Sequence, residues 1–152
     1  MCGIAGVFHY SSDKHSFNNS LSRMLSVIKH RGPDETGIYL GKNIGLGSVR
    51  LSIIDVAGGQ QPLTNESGRY WIVYNGEIFN YPELRKDLEK RGVRFSTNSD
   101  TEVVVQMYAT YGKQCLEFFN GQFAFCIWDT VKEELFLARD RVGIRPLYYW
   151  KH

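Results

Sequence analysis

Residues 121–139 read GQFAFCIWDTVKEELFLAR. Phe123, Phe125 and Ile127 alternate with Ala124, Cys126 and Trp128, so both faces of this run are apolar. Successive strand side chains point to opposite faces, and an apolar residue at every position marks a strand covered on both sides. Glu134 to Arg139 answers this run across a turn near Val131-Lys132. The pair is predicted to form a hairpin buried on both faces.

Other segments support a mixed architecture. Gly3 to Tyr10, Gly37 to Leu40 and Ile44 to Leu51 read as strands, the last two around a turn at Gly41. Leu21, Met24, Leu25 and Ile28 recur at helical spacing, and the pattern stops at Gly32-Pro33. Asn80 followed by Glu83, with Pro82 in the first turn, predicts a helix that buries Tyr81, Leu84 and Leu88 and ends at Gly92. Ser99 followed by Glu102 opens another, with Val103, Met107 and Tyr111 on one face. Val56 to Gly68, rich in Gly, Gln, Asn and Ser, reads as a loop. Strands joined by hairpins, with helices between them, predict an α+β domain with largely antiparallel sheets.

The 152 residues suffice for one domain with a sizeable core. Eighteen basic and sixteen acidic residues nearly cancel, which argues against a nucleic-acid or membrane-surface partner. No apolar stretch has the length of a membrane span, and the N-terminus lacks the basic patch and apolar core of a signal peptide. Cys2, Cys115 and Cys126 are odd in number and widely spaced, which suits a reducing compartment such as the cytoplasm.

Several residues can carry chemistry. Removal of Met1 would put Cys2 at the N-terminus, joining a thiol that can attack a carbonyl to an α-amine that can take its proton. Such an amine titrates at about 7.7–8.0, so part of it is neutral near physiological pH. The alternative is a small apolar residue entering the first strand. Asn75-Gly76 is the commonest hairpin turn, and a tight turn there would also present the Gly76 N–H and Asn75 amide side by side as oxyanion donors. On the motif alone the turn reading prevails.

Asp100, at a predicted helix start, is favoured by the helix dipole or can accept hydrogen bonds from a substrate ammonium. Arg50 ends an apolar run, either solvated or gripping a carboxylate with its planar fork. Arg31-Gly32-Pro33-Asp34 reads as a helix-ending turn. His9, His15, His30 and His152 have no metal-ligand spacing, and a Cys2–His30 dyad competes with a simpler role for His30 at a helix C-terminus. No phosphate-binding loop motif occurs.

In this order, Cys2-Gly3-Ile4-Ala5-Gly6, Arg31-Gly32-Pro33-Asp34, Arg50-Leu51-Ser52-Ile53, Asn75-Gly76-Glu77-Ile78 and Ser99-Asp100-Thr101-Glu102 resemble class II glutamine amidotransferase domains. The segment from Arg139 to Tyr149 is also similar, so the resemblance spans nearly the whole chain. Its Arg-Gly-Pro-Asp and Arg-Leu-Ser-Ile segments point to the glutamine-dependent asparagine synthetase branch.

The resemblance implies an N-terminal-nucleophile hydrolase fold, a four-layer αββα sandwich of two antiparallel sheets, with residues 1–152 as a single glutaminase domain. It implies Cys2 as nucleophile, Asn75 and Gly76 as the oxyanion hole, and Arg50 on the glutamine α-carboxylate. Asp100 and Glu77 would meet the amino-acid head, with Leu51, Ser52, Ile53 and Ile54 lining the pocket through backbone groups. Ammonia would pass to an ATP-dependent synthetase domain, C-terminal or separate, outside this chain. ATP and Mg are expected only there, with no cofactor or metal in this domain, and a homodimer is left open. A retained Met1 would turn the Cys2 nitrogen into an amide and remove the base.

Three alternatives remain at this point: another class II amidotransferase with a sugar or cell-surface acceptor, a non-catalytic scaffold, and a thiol peptidase. The loop Val56 to Gly68 is a candidate cover for the glutamine site or a passive surface excursion.

Overall fold

The computed structural model describes residues 1–10, 17–55 and 57–151, without the side chains of 17 and 18. His15, His152 and Val56 lie outside the described residues. Two antiparallel sheets form the centre. The first contains β1 (Gly3–Phe8), β2 (Glu35–Leu40) and β3 (Ile44–Arg50), in the order β1-β3-β2. The second contains β4 (Leu63–Thr64), β5 (Tyr70–Ile78), β6 (Gly121–Asp129) and β7 (Glu134–Arg139), in chain order. The helices are α1 (Phe17–Ile28), α2 (Tyr81–Lys90) and α3 (Asp100–Tyr111).

The alternation in β6 sorts the core into layers. Phe123, Phe125 and Ile127 join Ile72 and Tyr74 of β5 in the cluster that α2 and α3 cover with Leu84, Leu88, Val103 and Met107. Cys126 and Trp128 point the other way, meeting Ile44 and Leu46 of β3 between the sheets. Leu21 and Leu25 of α1 then close the far side of β3 against Val49. The order helix, sheet, sheet, helix is the expected αββα sandwich.

Several local expectations are corrected. Asn75-Gly76 makes no turn: β5 runs straight through it, with Asn75 opposite Ala124 and Gly76 opposite Phe123. Only β6 of the hairpin is buried on both faces, because β7 is an edge strand in which Ala138 alone is buried. The segment read as a loop from Val56 contains β4, whose Leu63 pairs with Ile72. The first strand stops at Phe8, short of the expected Tyr10. Met24 is 42% exposed, since the α1 seam runs through Leu21, Leu25 and Ile28.

Helix termini follow their signals in part. Ser99 Oγ accepts the Glu102 N–H at 3.2 Å, as a cap should, but the Glu102 carboxylate turns to the Ser96 and Thr97 N–H groups at 2.8 and 2.6 Å. Asn80 does not cap α2. Its side chain clamps the chain before β6, donating to Phe118 O and accepting from Asn120 N. At Gly92 (φ +87°) α2 ends as expected.

Candidate active site

The register of β1 on β3 places Gly3 opposite Val49, which brings Cys2 beside the end of β3 and Arg50. Cys2 Sγ lies 3.8 Å from Leu51 O. On the neighbouring sheet β5 carries Tyr74 to Glu77, and the N-terminus of α3 carries Asp100. These elements enclose a cavity of about 90 Å³ lined by Cys2, Arg50, Leu51, Ile53, Ile54, Asn75, Gly76, Glu77 and Asp100, among others. Ser52 is the one predicted site residue outside this lining. Its backbone N–H is taken by the Asp34 carboxylate at 2.8 Å.

The cavity has two charged ends. Arg50 is 5% exposed, so the solvated-strand reading fails. Its Nη1 donates to Glu35 Oε2 at 2.8 Å, and its Nη2 to the carbonyls of Ile54 and Asp55 at 2.9 and 2.8 Å. These bonds hold the planar guanidinium in one orientation. Asp100 is 4% exposed and accepts from Tyr74 Oη at 2.7 Å and Ile78 N at 3.2 Å. Burial raises its pKa above the ordinary carboxylate range, against the lowering effect of those hydrogen bonds, and nearby Glu77 adds to the rise. Burial and the neighbouring Asp100 push Tyr74 well above the usual phenol range, which keeps it the donor in this pair.

Cys2 is partly exposed, whereas Cys115 and Cys126 are buried thiols that burial pushes up to about 12. Those two are poor nucleophiles, because the thiolate is the reactive form. The Cys2–His30 dyad is not formed. His30 is exposed, its Nδ1 lies 3.1 Å from Val27 O, and it does not line the cavity. Among the described residues no group of His, Cys, Asp or Glu is arranged to hold a metal. A second cavity of about 280 Å³, behind Asp140 at the start of β6, contains none of the predicted site residues.

A family model described as a glutamine amidotransferase domain matches residues 1–152. The chain belongs to the glutamine amidotransferase domain family. It is 46% identical to asparagine synthetase [glutamine-hydrolyzing] 1 of Bacillus subtilis, over 98% of this chain and 24% of that protein. It is 39% identical to asparagine synthetase B [glutamine-hydrolyzing] of Escherichia coli, over 97% of this chain and 26% of that protein. The amidotransferase domain thus spans about a quarter of the length of these curated relatives. Its fold matches the solved structure of the B. subtilis glutamine phosphoribosylpyrophosphate amidotransferase with a TM-score of 0.73 at 22% identity, over 96% of this chain and 38% of that one.

Some residues at and around the cavity escaped the sequence reading. Tyr74, read as strand core, lies under Asp100, and Arg145 reaches the cavity from the segment after β7. Arg31, quoted within the Arg31-Gly32-Pro33-Asp34 motif but given no site role, donates its Nε to Cys2 O at 3.1 Å. Gln61 closes another wall, holding Thr101 Oγ1 and the Tyr74 N–H. Only Arg31 and Arg145 carried a local signal, the motifs Arg31-Gly32-Pro33-Asp34 and Arg139 to Tyr149.

Proposed function

We propose that this domain hydrolyses the side-chain amide of free glutamine to glutamate and ammonia through a thioester on Cys2. The observation that carries this reading is the convergence of Cys2, Arg50 and Asp100 on one cavity. Free glutamine is a zwitterion, so a fixed cation for its α-carboxylate and a fixed anion for its ammonium orient the side-chain amide toward the thiol. With Met1 removed, the Cys2 α-amine takes the thiol proton and the thiolate attacks the amide carbon. Asn75 and the Gly76 N–H stabilise the oxyanion. The C–N bond breaks as the α-ammonium returns its proton to the departing nitrogen. Water then cleaves the thioester, releasing glutamate and the thiol.

The names of these relatives support asparagine synthesis as the use of this ammonia, in a synthetase portion outside residues 1–152. ATP and Mg would act there, and the amidotransferase domain itself uses no cofactor. No helix among the described residues is long and apolar enough to cross a membrane, and the free thiols support a cytoplasmic setting. A second reading keeps the same hydrolysis with another acceptor. It is favoured by the 38% identity to amidase chry2 of Gibberella zeae, over 100% of this chain and 24% of that protein.

The test is the intact mass of the protein before and after 6-diazo-5-oxo-L-norleucine, a reactive glutamine analogue. Loss of Met1 followed by one adduct on Cys2 is expected. A processed chain that stays unlabelled while folded would favour the scaffold reading.

A further inference from the structure

Asp55 links Arg50, at one charged end of the cavity, to the backbone two residues before Asp100, at the other. Its backbone is left-handed (φ +48°), a conformation that non-glycine residues adopt at some cost. In this conformation its own carbonyl, with that of Ile54, faces Arg50 Nη2. Its carboxylate turns to the opposite side. Oδ1 accepts the Gly58 N–H at 3.0 Å, and Oδ2 accepts the Asn98 N–H at 2.7 Å. Asn98 immediately precedes Ser99, the N-cap of α3, and Asp100 begins that helix.

The wrap around Asp55 is tight. A Cβ on Gly58 would lie 2.5 Å from Asp55 Oδ2, and one on Gly59 would lie 2.6 Å from Arg50 Nη2. The described part of the segment read as a candidate cover is thereby pinned at its start to Arg50 and to the α3 entry. Gln61 pins it again to Thr101.

We propose that Asp55 is a positioning residue that sets the spacing between the Arg50 guanidinium and the Asp100 carboxylate, and so selects free glutamine over amides lacking either α-group. This deepens the proposed function and rests on it. The backbone bonds fix one end and the side-chain bonds fix the other. Asp55 touches no reacting atom in this scheme, so its removal should alter substrate choice more than the chemical step.

The test compares glutamine with 4-aminobutanamide, which lacks the α-carboxylate, and with 5-amino-5-oxopentanoate, which lacks the α-amine. Hydrolysis is measured with the full-length protein and with its Asp55→Gly and Asp55→Asn variants. Glycine and asparagine both tolerate a left-handed backbone, so either variant retains the turn. Asp55→Gly is expected to raise KM for glutamine about tenfold, the scale of a lost charged hydrogen bond, and to shrink the preference over both analogues. Its kcat should stay within about threefold. Asp55→Asn keeps one acceptor oxygen and should fall between. An unchanged preference, an equal loss on all three substrates, or a loss of preference over only one analogue would overturn the role. A parent protein with no preference for glutamine would overturn the proposed function itself, and the positioning role with it.

Discussion

Gly76 of β5 and Phe123 of β6 face each other so closely that residue 76 has no room for a side chain. A Cβ there would lie 2.7 Å from Phe123 Cα and 2.4 Å from Gln122 O. The β5–β6 pairing continues through this contact, where an Asn-Gly pair would otherwise suggest a reversal, and Asn75 lies beside it at the cavity wall.

Gly76→Ala should therefore destabilise the fold by about 1–3 kcal/mol, the usual cost of forcing atoms into packed space. Thermal unfolding checks this. Asn75→Ala leaves the strand contact intact and should instead lower kcat by about 10²–10³, as expected for a lost oxyanion donor. A normal kcat for Asn75→Ala would remove it from the oxyanion hole.

Arg50→Lys keeps the charge but loses the fork that bonds Glu35, Ile54 and Asp55 together. We expect KM for glutamine to rise by about 10–100-fold with a smaller change in kcat, because a single ammonium cannot hold Glu35 and the two carbonyls and still present a fixed cation to the substrate carboxylate. Steady-state kinetics decide it. A purely structural arginine would instead reduce the amount of folded enzyme at unchanged KM.

A residue left in front of Cys2 converts the proposed base into an amide. Protein carrying one additional N-terminal residue should lose about 10²–10⁴ in kcat, the typical contribution of a positioned base. Proteolytic release of that residue should restore activity. Equal activity before and after release would assign the proton transfer to another group.

Asp129 binds Arg69 through both oxygens at 2.9 and 2.7 Å and receives the Val131 and Lys132 N–H groups. The Arg69 hydrogen bond in particular lowers its pKa from 3.8 to about 2, despite an opposing effect of burial. A depressed carboxylate contributes stability that is present above its unfolded value and is lost as the pH falls through the folded one. Stability should thus drop as the pH falls from 3.8 to about 2. Asp129→Asn should be less stable at neutral pH and lack this component of the drop. Urea midpoints across that range measure both.

Much of the architecture was legible because it depends on local periodicity. The double apolar register from Phe123 to Trp128 required a covered sheet, and β6 sends one set of residues to the helices and the other to the first sheet. Ser99 announced the start of α3, since a cap is a contact between residues three apart. Asn80 carried a similar signal and misled, because Phe118 and Asn120 compete for its side chain from a distant part of the chain. Met24 misled for a related reason: its spacing suits the α1 seam, but the width of that seam depends on how the helix lies on the sheet.

The sequence by itself determined the mixed α and β composition, the alternating faces of β6 and the order of motifs that marks a glutamine amidotransferase domain. These follow from side-chain direction along strands and helices, and from residue identity. Tertiary structure decided that Asn75-Gly76 continues a strand, that Arg50 is buried against Glu35, and that Asp55 bonds both Arg50 and the Asn98 N–H ahead of α3. Each of these is a contact between residues far apart in the chain, and its outcome depends on which partner the packed sheets bring within hydrogen-bond reach.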